Sequence, residues 1–134
     1  MTESLSKRYV VLTEGESNQL YQCIVLPGAS RVLAPTSIIP VTLGYDHSQL
    51  VGSANGFTRA GVIDGIAKIT FNIRLKSDGG LTHDDLAKLK PGVFLASVFK
   101  FRHPGQHLDW VTDGIIKEIS FYDPRPPALK IEES

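Results

Sequence analysis

At 134 residues with 42% hydrophobic content, the chain has the length of one domain with a real core and is too short for two. Fourteen basic and fourteen acidic residues cancel, so no bulk positive charge recommends it for nucleic acid, whose binding needs concentrated Lys and Arg. The longest apolar runs fall far short of a membrane span, and the polar opening MTESLSKRYV predicts no secretory signal.

Most of the chain reads as short strands. Tyr9 to Leu12 is apolar and ends at the turn-forming cluster Glu14 to Asn18; Leu20 to Leu26 restarts as a strand and stops at Pro27-Gly28. That second run holds Cys23, the single cysteine, which has no internal partner and is expected as a buried, reduced thiol. Residues 29–40 carry two prolines and several small residues and are expected to cross the surface as a loop. Val41 to Tyr45 is a short predicted strand leading into GYDHSQLVG.

Within residues 61–75, Ile66, Lys68, Thr70, Asn72 and Arg74 alternate with Ala67, Ile69, Phe71, Ile73 and Leu75, the period of a strand with one buried face. One helix is predicted. Thr82 is its N-cap, Asp84 and Asp85 lie in the first turn, Leu81, Leu86 and Leu89 share an apolar side, and Pro91-Gly92 stops it. Two strands follow, over 93–102 and 108–122, joined by the turn His103 to Gln106. The tail from Asp123 contains three prolines and is expected to be extended. The expected fold is mainly β (α+β), a compact closed sheet or barrel with one or two short helices, forming one domain over 1–134.

The familiar site motifs are missing: no CxxC, HExxH, P-loop or GxSxG occurs. His103 and His107 have a helical metal spacing, but Pro104-Gly105 between them forbids the helix, so neither a metal nor a cofactor is expected. Ser97 is notable because it interrupts VFLASVFKF, the most apolar stretch. It is either a small polar residue satisfied locally or a nucleophile awaiting a histidine base. Glu118 in GIIKEISF is either solvent-facing by alternation or a group that orients an imidazole. Ser97, His47 and Glu118, from three separate segments, are one workable hydrolase constellation; Ser97, His103 and Asp109 are another that composition equally permits.

The order of several short motifs carries a resemblance. Pro27-Gly28-Ala29-Ser30 is followed by an apolar run to Asp46-His47 and then Val51-Gly52. Leu89-Lys90-Pro91-Gly92 precedes Leu95-Ala96-Ser97-Val98-Phe99, and Ile115 to Pro124 is followed by Pro127 to Ile131. In this order the chain resembles the head maturation (prohead) proteases of tailed phages, a family similar in fold to herpesvirus assemblin. The resemblance implies a serine endopeptidase that processes scaffold and capsid proteins inside the immature head. It assigns His47 as base, Ser97 as nucleophile and Glu118 as third member. The implied partners are phage capsid and scaffold proteins, in the host cytoplasm, within the prohead or on the virion; no nucleic acid or membrane partner is expected, and homo-oligomers are left open.

At one position the chain departs from the family: Phe99 stands where a glycine normally follows the serine by two residues. Its bulk crowds the place where backbone N–H groups must approach a substrate oxygen. Two alternatives follow, a non-catalytic capsid decoration or cement protein on the same β fold, and an unrelated β-barrel binding module.

Overall fold

A computed structural model describes residues 6–18, 23–34, 36–44, 46–76, 81–102, 104–105, 107–122 and 129–131. The protein is mainly β, with one sheet curled into a half-barrel and almost no helix. The strands are β1 (Ser6–Glu14), β2 (Ser17–Asn18), β3 (Cys23–Val25), β4 (Ser30–Arg31), β5 (Ile39–Leu43), β6 (Asp46–Ile63), β7 (Ile66–Leu75), β8 (Lys90–Phe101), β9 (Asp109–Tyr122) and β10 (Leu129–Ile131). The single described helix, α1, spans His83–Leu86.

The β7 alternation is realised in full. Ala67, Ile69, Phe71, Ile73 and Leu75 are buried between β1 and β6, while Lys68 and Arg74 face water. Each large side chain among them contributes on the order of 1.5–3 kcal/mol by leaving water. With Val41, Val93, Leu95, Ile119 and Phe121 they form the centre of the core.

Strand β9 is the hub. Along one edge it receives three short parallel strands in succession: Cys23–Val25 beside Asp109–Val111, Ser30–Arg31 beside Gly114–Ile115, and Val41–Leu43 beside Ile119–Phe121. Its other edge pairs antiparallel with β8. Residues 29–40, expected as loop, thus contain β4 and the start of β5, because even two residues set beside β9 satisfy their backbone groups there.

The helix forms where its caps predict, but it is shorter. Thr82 Oγ1 accepts from the Asp85 N–H, and the Asp85 carboxylate accepts from the Thr82 N–H, a complete capping box. Only Leu86 of α1 is buried, and Lys90, Pro91 and Gly92 already belong to β8. Strand β6 went unread: its segment GSANGFTRAG is rich in residues that resemble loop, yet it pairs with both β5 and β7.

Candidate functional site

Ser97 lies on a bulge of β8. Ala96 is level with Ile115 and Phe99 with Asp113, so Ser97 and Val98 together oppose a single residue of β9. The extra residue bends the strand, and Ser97 takes a left-handed backbone conformation, φ 52°, that side chains other than glycine and asparagine rarely adopt. Its side chain is exposed.

Glu118 is not solvent-facing. Val93, Ile119 and Val41 stand level with one another and face the core. Glu118, Ser120 and Thr42, one residue out of phase, share the opposite face of the sheet and are buried there as well. Thr42 Oγ1 donates to Glu118 Oε2 at 2.5 Å and lies 3.2 Å from Ser120 Oγ. A carboxylate taken out of water needs such donors.

The backbone of His47 belongs to β6, while its side chain lies outside the described residues, as does all of His103. The register still places the segment. Asp46 is level with Leu43, and Leu43 with Phe121, whereas Ala96 beside Ser97 is level with Ile115. Six residues of β9 separate the two positions, roughly 20 Å of strand. A nucleophile and its base need about 2.6–3.2 Å between heavy atoms, and this register does not bring Ser97 and His47 together. Glu118, level with Phe94, lies between them and is engaged by Thr42.

Ser97 instead opens onto a cleft of about 420 Å³. Leu33, Ile38 and Ile39 line it from the segment that runs along one edge of β9, Ala96 from β8 along the other edge, and Ile115 and Ile116 come from β9 between them. Ser37, Ser97 and Lys117 are the polar groups among the described lining residues. Leu33 is 76% exposed and Ile38 69%, although both are large and aliphatic. The sequence offered one signal for this feature: two bulky apolar residues set in a proline-containing stretch.

A second polar cluster, also unread from the sequence, is built around Glu14. This residue is wholly buried at the end of β1. Its carboxylate accepts from the backbone N–H of Gly28 (3.0 Å) and Ser30 (2.9 Å), from the Ser30 hydroxyl, and from Arg59 Nε at 2.8 Å. Burial alone would raise its pKa, but Arg59, Ser30 and Gly28 together outweigh burial and hold the carboxyl below its usual range. The arrangement ties the Pro27-Gly28-Ala29-Ser30 turn to β1 and β6, which is a structural role.

Three other sites are accounted for by local chemistry. Tyr9 shares a 2.7 Å hydrogen bond with His83 Nδ1 and stacks on its ring; burial, then Asp84, pushes the phenol upward. Asp109 accepts from Arg102 at 2.8 Å and sits 3.5 Å from Lys100 Nζ. The Arg102 hydrogen bond is the main reason its carboxyl is held low. Cys23 is buried, and burial first, Asp109 second, pushes its thiol up, so it is a poor nucleophile.

Among the described residues, no three His, Cys, Asp or Glu side chains lie close enough to hold a metal ion. No described helix is long and apolar enough to cross a membrane. No family model matches the chain, and neither the curated proteins nor the solved structures contain one that matches it.

Proposed function

We propose that the chain is a non-catalytic virion assembly protein of the capsid decoration or cement type. In this reading a protease-like β fold holds other head proteins rather than cutting them. The observation that carries it is the register along β9, which sets Ala96 level with Ile115 and the His47 segment level with Phe121. A Ser-His-acid triad works only as one hydrogen-bonded unit, and a separation of this length along β9 speaks against His47 as the base of Ser97. The order of motifs supports the phage-head setting, and the exposed aliphatic cleft supports a binding role.

A serine endopeptidase acting on scaffold or capsid protein is the second reading. It is favoured by the left-handed backbone of Ser97 at the mouth of a cleft, since strained positions gather at functional sites. It requires a general base within hydrogen-bond reach of Ser97.

Co-expression with the capsid and scaffold proteins of the phage that encodes it separates the two. The decoration reading predicts full-length head proteins on a gel and the chain co-sedimenting with assembled shells, for wild type and Ser97→Ala alike. Shortened head proteins that disappear with Ser97→Ala would overturn it.

A further inference from the structure

We propose that the outer face of β1, β7 and β6 is a docking surface for a carboxylate-rich segment of a partner protein, with Arg8 as its anchor. This face shares no residue with the cleft beside Ser97 and stands whether or not Ser97 cuts, so the inference goes beyond the assembly reading.

The sequence pattern sets the charge of the face. Odd-numbered residues of β7 turn into the core, which leaves Lys68, Thr70, Asn72 and Arg74 on the outside. Arg8 stands level with Asn72 from β1, and Thr58 level with Thr70 from β6. Across β1, β7 and the paired stretch 52–60 of β6 the only acid is Glu14, which is buried and closed by Arg59. Arg8, Lys68 and Arg74 are exposed, and none has an ion-pair partner among the described residues. The nearest exposed acid on this hairpin is Asp64, in the turn beyond Lys68. The chain is neutral as a whole, so this uncompensated positive charge is local.

Arg8 is held ready. Its Nη1 donates to the Gly56 carbonyl (3.1 Å), to Thr58 Oγ1 (3.2 Å) and to Thr70 Oγ1 (2.6 Å). Among the described residues nothing accepts from Nε or Nη2, the edge of the guanidinium that grips a carboxylate with two parallel hydrogen bonds. Beside it the Asn72 amide has no described hydrogen-bond partner. A methyl group on Gly56 would lie 3.1 Å from Arg8 Nη2 and 3.2 Å from Asn72 Nδ2, so the bare glycine leaves both donors uncovered. A side chain already fixed by three acceptors loses little rotamer freedom when it binds.

Spacing and the absence of rings choose the partner. Arg74 is two residues from Asn72, the level of Arg8, which is roughly 7 Å along the strand. Carboxylates on alternate residues of an extended segment recur at the same interval of roughly 7 Å and can meet both guanidinium groups. A nucleic acid fits less well. The aromatic residues of these strands turn inward, Tyr9 against Phe121 and Phe57 against Phe71, so no ring is offered for bases to stack on. A sheet face of three strands also does not enter a groove as a helix or a two-stranded ribbon does.

The test uses the full chain and two fluorescent hexapeptides of alternating glutamate and serine or glutamine and serine, with a thymidine decanucleotide as the third probe. Wild type is expected to bind the glutamate peptide at least about tenfold tighter than its glutamine twin, and tighter than the oligonucleotide. Arg74→Glu is expected to weaken that binding at least about tenfold, and Lys90→Glu, the same charge change on exposed β8, to leave it unchanged. Arg8→Lys, which keeps the charge and loses the fork, is expected to weaken it about fivefold. Arg74 is exposed and engages no described side chain, and thermal melts matching wild type check that its variant is folded.

The inference is overturned if wild type binds neither peptide at millimolar concentration, or if Arg74→Glu binds the glutamate peptide as wild type does. An equal loss with Lys90→Glu would reduce the effect to net charge and overturn the face as a site. Tighter binding of the oligonucleotide than of the glutamate peptide would overturn the choice of a protein partner.

Discussion

Arg59 and Glu14 form an ion pair in which Nε sits 2.8 Å from Oε1, with the Glu14 side chain wholly buried and the Arg59 side chain 27% exposed. The pair spans β1 and β6 and lies over the turn that starts β4. Arg59 Nη2 also donates to the Ser30 carbonyl, so one side chain closes both the acid and the turn.

Removing Arg59 leaves a buried carboxylate with only neutral donors. Arg59→Ala is expected to cost about 3 kcal/mol, the range for breaking one side of a buried pair. For a chain of this size that lowers the melting temperature by roughly 10 °C. A calorimetric melt within 2 °C of wild type would contradict the structural role; about 2 °C corresponds to well under 1 kcal/mol.

The same pair predicts a pH dependence with a definite sign. Glu14 has a lower pKa folded than unfolded, so it stabilises the fold fully above its unfolded value, about 4.3. That contribution is lost as pH falls through the folded value below it. The melting-temperature gap between wild type and Glu14→Gln should therefore be wide at neutral pH and narrow below about pH 4. A gap that stays constant down to pH 3 would contradict this account; about pH 3 lies below the unfolded value.

Gly52 on β6 is fixed by a close approach. A methyl group placed there would lie 2.3 Å from the Arg74 carbonyl oxygen of β7, a backbone atom that can move only with its strand. Gly52→Ala should destabilise by about 1–3 kcal/mol in urea unfolding, through strain between the two strands. Unchanged stability would mean that β6 and β7 are not held in this register.

Two hydroxyls that look alike in the sequence should behave differently. Thr42→Val keeps the shape but removes one hydrogen-bond donor from buried Glu118, at a cost of about 1–3 kcal/mol. Ser97 is exposed, so Ser97→Ala should change stability by less than about 0.5 kcal/mol. Equal losses in chemical denaturation would contradict the contrast.

These contrasts mark how far the sequence could be read. Strand β7 was legible because its alternation records one buried and one wet face, and α1 because Thr82 and Asp85 are capping residues at the right spacing. Strand β6 was not, since its small and polar residues carry no period and are held by neighbours on both sides. Asp64 and Gly65, both with positive φ, make the tight turn from β6 to β7, and that Asp-Gly pair was an available signal for the hairpin. Glu14 read as part of a turn because its burial depends on Arg59, 45 residues away. The prospective triad could not be placed from the sequence for the same reason: order along the chain says nothing about register, and register sets Ala96 level with Ile115 while Leu43, opposite Asp46, is level with Phe121.

The central claim is that Ser97 is not an activated nucleophile. Treating the purified full-length chain with a fluorophosphonate and weighing it intact by mass spectrometry tests this directly. The account predicts an unshifted mass for both wild type and Ser97→Ala. A stoichiometric adduct on wild type that is absent from Ser97→Ala would contradict it.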